Sequence, residues 1–236
     1  MLKTLVIIPA YNEQECILNT VKEVQQTCPF ADLLVVNDCS LDDTGKLLRE
    51  SGISFLDLPV NLGIGGAVQA GYRYALENGY EAAVQLDGDG QHDPAYLEEM
   101  VKLLEQKEAD VVIGSRFLEK EGFQSSGARR AGIRFLDRLI RLCSGVKVTD
   151  CTSGYRAVNN RILSLYAADY PADYPEPEAI LQAAMEGARI REVPVIMRER
   201  KTGSSSIRPL HSVYYMCKVS LAILLQRLGG KRQAGR

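Results

Sequence analysis

Short apolar runs alternate with longer amphipathic stretches through the first half of the chain. TLVIIP (4–9), LLVVND (33–38), ISFLDL (53–58), AAVQLD (82–87) and ADVVIGS (109–115) are brief and rich in β-branched residues, and so predict strands. The segments near 14–27, 42–50, 66–78 and 95–106 repeat their apolar positions at helical spacing and predict helices. Strands apolar on both faces, separated by helices, predict a mostly parallel sheet covered on both sides. Two helix starts have capping-box form, Asn12 followed by Glu15 and Ser40 followed by Asp43. A later strand is expected over 190–200.

The polar clusters follow this pattern. Tyr11, Asn12 and Glu13 come after the first strand, Asn37 and Asp38 end the second, Asp87 and Asp89 end the fourth, and Ser115 and Arg116 end the fifth. Open α/β sheets bind ligands outside the carboxyl ends of their strands, so these clusters predict a single site. The most informative stretch is 83–94, AVQLDGDGQHDP, where an apolar run ends in Asp87, Asp89 and Asp93. Carboxylates so dense at the end of a buried strand need a counter-ion, and a divalent cation carrying a phosphorylated ligand supplies one.

Asn61, Gly63, Gly65 and Gly66 precede a helical segment. Their backbone could offer N–H groups to an anion, let a nucleotide approach, or simply make a tight turn. A dinucleotide fingerprint is excluded, because Val68 stands where its third glycine would fall and the motif does not follow the first strand. No Lys-Ser/Thr pair follows, which excludes the phosphate loop of ATPases.

At 236 residues and 46% hydrophobic, the chain has room for one full α/β domain and an appendage. A formal net charge of -2 argues against a general nucleic-acid binder. Six cysteines without a C-x-x-C pair are expected to be thiols in a reducing compartment. The start runs directly into a strand, so no signal peptide and a cytoplasmic location are expected.

The ordered series VIIPAYNE ending at Glu13, VVNDCSLDDT (35–44), NLGIGGAVQAGY (61–72), LDGDGQHDP (86–94), GSRF (114–117) and TSGYR (152–156) resembles the inverting family 2 glycosyltransferases. It is most similar to the branch of dolichyl-phosphate mannosyltransferase and bacterial polyprenyl-phosphate sugar transferases, over roughly residues 3–205. The resemblance implies a Rossmann-like nucleotide-sugar-binding domain of glycosyltransferase A type over 1–206, with an apolar helix and basic tail over 207–236. It implies that Pro9, Tyr11 and Glu13 frame the base and ribose of a nucleoside diphosphate sugar and that Asp38 bonds the base, with Gly65 on the same nucleotide side. Asp87 and Asp89 match the metal-binding Asp-x-Asp, with Gln91 as a third residue on the metal side and Mg²⁺ or Mn²⁺ as the cofactor. Such hard cations take oxygen ligands and stabilise a departing diphosphate. His92 is not needed as a ligand and is read as a satisfied histidine at the surface or behind the metal ligands.

Arginines mark the acceptor side. Arg116 follows a strand end and, in the resembling enzymes, meets phosphate oxygens. Arg130, Arg134, Arg138 and Arg141 make one basic stripe on a helix, with Ile133, Leu136, Ile140 and Cys143 opposite. Arg129 or Arg130 matches an acceptor-phosphate arginine, although an ordinary solvated helix face has the same pattern. Arg200 and Lys201, ahead of a Gly-Ser loop, suit closure over a phosphorylated complex. Glu178 sits where the resemblance puts the acceptor cleft and where a helix start favours a carboxylate.

An undecaprenyl or dolichyl phosphate acceptor is already ionised and needs no strong base. A sugar hydroxyl, as in polysaccharide or glycolipid assembly, would need one, and Asp150 or Glu178 is available. The arginines favour the lipid phosphate, and inversion is implied. A nucleotide-sensing protein without turnover is the non-enzyme alternative, and retention of both Asp87 and Asp89 argues against it. Between Ser212 and Leu225 only Lys218 is charged, and the run falls short of the ~20 apolar residues that span a bilayer. Arg227, Lys231, Arg232 and Arg236 follow, so peripheral attachment to the cytoplasmic membrane face is expected, with a homo-oligomer interface or ordinary core as alternatives.

Overall fold

The computed structural model describes residues 1–119, 127–198 and 209–233. One seven-stranded sheet organises them: β1 (Thr4–Ala10), β2 (Asp32–Asn37), β3 (Phe55–Asp57), β4 (Ala82–Gln85), β5 (Val111–Ser115), β6 (Arg156–Asn159) and β7 (Ile190–Pro194). Their order is β3-β2-β1-β4-β6-β5-β7. All pairings are parallel except those of β6, which runs antiparallel to both β4 and β5. The mostly parallel sheet expected from the apolar runs is therefore present. β6 is an addition, and the strand expected over 190–200 is shorter than predicted.

Helices α1 (Ile17–Thr27), α2 (Thr44–Ser51), α3 (Gly63–Glu77), α4 (Leu97–Glu105), α5 (Gly127–Ser144), α6 (Asn160–Ala168), α7 (Pro175–Met185) and α8 (Pro209–Gln233) cover the sheet. Strand alternation divides the core into two layers. Leu5 and Ile7 of β1 join Val68 and Tyr72 of α3, Leu136 and Ile140 of α5 and Val219 and Ile223 of α8. Val6 and Ile8 face the other way, onto Val21 and Val24 of α1 and Met100 and Val101 of α4.

The expected capping boxes do not form. α1 begins at Ile17 and α2 at Thr44, and neither has a side-chain cap. Asn12, at φ +58°, and Ser40 instead bond across the gap between their two loops. α8 packs on α5 and α7, and Gly132 makes room for it: a Cβ there would lie 3.2 Å from the Met216 sulfur. Leu221, Leu224, Leu225 and Leu228 remain exposed on its outer side. Among the described residues no helix is long and apolar enough to cross a membrane. All six cysteines are free thiols.

Asp110, buried at the start of β5, joins three strands. It accepts from Arg189 Nε and Nη2 at 3.0 and 3.1 Å, from the Arg189 backbone N–H at 2.8 Å and from Asn159 Nδ2 at 2.8 Å. Arg189's hydrogen bonds hold its carboxyl well below the usual range, against the opposing effect of burial. Stability from such a depressed group is present above the unfolded value of about 3.9 and is lost as pH falls toward the folded one. Asp110→Asn should therefore cost about 2 kcal/mol in urea denaturation at pH 7. The gap to wild type should close as pH falls below about 4; an unchanged gap at low pH would refute this account.

Candidate active site

The loops after β1 and β2 are laced together at the carboxyl edge of the sheet. Asn12 N–H donates to Ser40 Oγ at 3.0 Å and Leu41 N–H to Asn12 Oδ1 at 2.8 Å. Glu13 N–H donates to Thr44 Oγ1 at 2.9 Å, Gln14 N–H to Asp42 Oδ2 at 3.2 Å, and Asp43 N–H to Gln14 Oε1 at 2.9 Å. Pro9 is buried beneath this lacing, whereas the Tyr11 ring is 44% exposed. Glu13 is held by its backbone and is half-buried.

Asp38 and Gly65 hold backbone in place. Asp38 is buried, and its Oδ1 accepts from Leu62 N–H at 2.7 Å. Burial raises its pKa, while the N–H groups of Leu62 and Gly63 oppose the rise. Through this oxygen the carboxylate pins the turn that starts α3. Gly65 corrects the sequence expectation: its N–H goes to Ala172 O at 3.1 Å, and a Cβ would sit 2.0 Å from Pro171 O. Its small size admits protein backbone, and its donor is not directed at an anion.

After β4 the chain turns through Asp87, Gly88 and Asp89. The Asp87 N–H donates to His92 Nδ1 at 3.2 Å, while His92 Nε2 lies 3.7 Å from Asp87 Oδ2. His92 is buried and stacks on Tyr155 with centroids 4.9 Å apart, so it backs Asp87 from behind and is not a surface residue. Gly154 closes the other side, where a Cβ would lie 3.0 Å from Asp87 Oδ1. Gln91 is turned to the backbone: its Nε2 donates to Arg198 O at 3.2 Å, and Arg198 N–H donates to Gln91 O at 2.9 Å. Arg198 pairs with Glu23 at 2.7 Å and Asp93 at 2.9 Å, which anchors the chain after β7 beside the aspartates. Sequence reasoning missed Arg198, because both its partners are remote in the chain.

Among the described residues no group of three or more His, Cys, Asp or Glu side chains forms a metal cage. Two half-buried carboxylates on one turn suit a different arrangement, in which substrate phosphates and water complete the shell of a hard cation. Asp87 and Asp89 fit that role, and the hydrogen-sized space at Gly154 keeps Asp87 clear.

On the acceptor side the structure changes the roles of Arg116 and Asp150. Arg116 is buried; its Nε and Nη2 each donate to Asp150 at 2.6 Å, and Nη2 also donates to Thr152 Oγ1 at 2.8 Å. Asp150 has no solvent exposure and accepts from the Arg116 backbone N–H as well, at 3.1 Å. A carboxylate so occupied is not placed to take a proton, which removes Asp150 as a base. Arg116 Nε and Nη2 are thus committed to groups inside the fold.

Glu178 is half-buried, and its pKa is raised by burial, with Lys218 and Asp173 the charges acting on it. Burial raises the pKa of Glu176, two residues earlier, against the opposing charge of Arg156, with smaller effects from Asp87, which adds to the rise, and Arg116, which opposes it. Glu176 is thus the α7 carboxylate on the side of the aspartates; the doubled Pro-Glu of the sequence held both choices. Arg156 was also missed as a functional support. Fully buried, it donates to the carbonyls of Ser153, Cys151 and Glu176 at 2.8, 2.9 and 2.7 Å, tying the TSGYR turn to α7. Arg130 lies on α5, beside a groove together with Phe117. Arg200 and Lys201 lie outside the described residues.

The model of the family described as "Glycosyl transferase family 2" matches residues 5–166. The chain belongs to that family. This family 2 glycosyltransferase is 34% identical over 216 residues to undecaprenyl-phosphate mannosyltransferase of Micrococcus luteus, covering 87% of this chain and 88% of that one. It is 34% identical over 217 residues to polyprenol monophosphomannose synthase of Mycolicibacterium smegmatis, covering 87% and 81%. A crystal structure of glucosyl-3-phosphoglycerate synthase from Mycobacterium tuberculosis, with Mn²⁺, UDP-glucose and phosphoglyceric acid, matches with a TM-score of 0.73 at 21% identity. That match covers 97% of this chain and 80% of the other and shows the glycosyltransferase A fold.

Proposed function

We propose that this glycosyltransferase moves a hexosyl group from a nucleoside diphosphate sugar to a polyprenyl phosphate, with inversion at the anomeric carbon. The observation that carries the choice of acceptor is the occupied Asp150 carboxylate. A hydroxyl acceptor needs a base, and Asp150, one of the two candidates, is bound to Arg116, whereas an ionised phosphate needs only positive charge and position. Relatives named for undecaprenyl phosphate and polyprenol support the same reading.

In this scheme the laced loops present Tyr11 and Glu13 to the nucleoside, and Asp38 acts by holding the Asn61–Gly63 turn. Asp87 and Asp89 hold Mg²⁺ or Mn²⁺, with His92 and Gly154 fixing the first of them. A divalent cation there supplies charge that stabilises the departing nucleoside diphosphate. Arg130 attracts the acceptor phosphate, and Arg116 adds its field from within the fold. Direct displacement gives inversion. The enzyme works peripherally at the cytoplasmic membrane face, with the exposed leucines of α8 toward the lipid.

The test is incubation with a panel of nucleotide sugars, a divalent metal and a short-chain polyprenyl phosphate, followed by NMR of the product. The expected product is a prenyl-phosphate sugar with inverted configuration. Transfer only to hydroxyl acceptors, or retained configuration, would reject the reading.

A further inference from the structure

α5 carries more positive charge than one reacting phosphate needs. A groove of about 530 Å³ runs beside the helix, lined by Arg130, Arg134, Arg138 and Arg141 and by Lys147 on the loop beyond. From Arg130 to Arg141 is eleven residues, about 16 Å of helix, several times the width of a phosphate. Five other arginines, Arg49, Arg116, Arg161, Arg189 and Arg198, each meet a carboxylate. Among the described residues the five groove cations form no ion pair, and Arg130 Nε is buried without a hydrogen-bond partner. Among the described residues the one carboxylate in the lining is Asp137. Its Oδ1 accepts from Cys151 N–H at 3.2 Å, and burial pushes its pKa up to about 6.

Unpaired cations at this density repel one another, and a bound anion relieves that repulsion. The groove also has apolar walls in Phe117, Ile133 and Val148, and the α5 side chains Phe135 and Leu142 stand exposed, Leu142 at 83%. Charge beside exposed apolar surface matches a ligand with an anionic head and a greasy body. We propose that the far end of this groove, at Arg138, Arg141 and Lys147, seats the phosphodiester headgroup of an anionic bilayer phospholipid, separately from the reacting phosphate near Arg130. The proposal rests on the reading that the enzyme works at a membrane. It adds a second anion site that turns the reaction site toward the bilayer and favours anionic over neutral lipid.

The test compares the full chain with the triple variant R138Q/R141Q/K147Q. Sedimentation would use phosphatidylcholine vesicles with and without phosphatidylglycerol. Wild type should bind the anionic vesicles more tightly than the neutral ones. At about 1 kcal/mol for each cation near a charged surface, the variant should bind them on the order of a hundredfold more weakly. Its turnover of a soluble short-chain prenyl phosphate should be unchanged, which separates loss of this site from failure of the proposed reaction. Equal binding of both proteins to anionic vesicles would overturn the proposal. Equal binding of wild type to both vesicle types would overturn it too, leaving the α8 leucines as the whole attachment. Displacement by millimolar inorganic phosphate would show a free-anion site instead, and loss of turnover on the soluble acceptor would merge the groove with the reaction site.

Discussion

Asp150→Ala is expected to destabilise the protein by about 3–5 kcal/mol, because it leaves the buried Arg116 guanidinium without its counter-charge. The partner is 7% exposed, and both short bonds to it are lost at once. Urea denaturation measures the loss, and a double-mutant cycle with Arg116→Met isolates the pair. Removing both charges should cost less than removing Asp150 alone, since an apolar replacement of a buried pair avoids the stranded cation. A base would behave differently: its loss would lower kcat and leave stability close to wild type. A stable, inactive Asp150→Asn protein would thus restore the hydroxyl-acceptor reading.

Asp89→Ala should leave the fold intact and lower metal-dependent turnover by about a thousandfold or more, as expected when several kcal/mol of charge stabilisation is lost. Asp89 is the better of the two aspartates to change, because Asp87 is packed between His92 and Gly154 and its replacement would disturb both. Calorimetry should show nucleotide binding that no longer responds to Mg²⁺ or Mn²⁺. Metal-dependent affinity equal to wild type would move the metal site elsewhere.

The sequence reveals most about elements whose burial is written into their own residues. β1, β2, β4 and β5 are continuous apolar runs, and the inward face of α5, with Ile133, Leu136, Ile140 and Cys143 buried, follows from helical spacing alone. β6 was not legible, because RAVN begins with an arginine whose burial depends on carbonyls at Ser153, Cys151 and Glu176. The caps failed for a related reason. Asn12 and Ser40 have the chemistry of local caps, yet their partners are 28 or 29 residues away. At the candidate site, spacing put Asp87 and Asp89 on the turn after β4, but the Arg116 and Asp150 pair, 34 residues apart, and the backbone duties of Gln91 and Gly65 depend on tertiary approach.

The position of β6 also bears on how the chain folds as it is made. β4 ends at Gln85 and β6 begins at Arg156, a separation of 156 − 85 = 71 residues, or several seconds of synthesis at about 5–20 residues per second. β5 emerges during that interval and belongs one strand away from β4, with β6 between them. The growing sheet must keep a slot open, its edge unsatisfied, and a direct β4 to β5 pairing would be a kinetic trap. Filling the slot also brings Gly154 against Asp87, so that carboxylate acquires its final surroundings only when the sheet closes. Released nascent chains that end before residue 156 should therefore be prone to edge-to-edge association and unable to assemble the site.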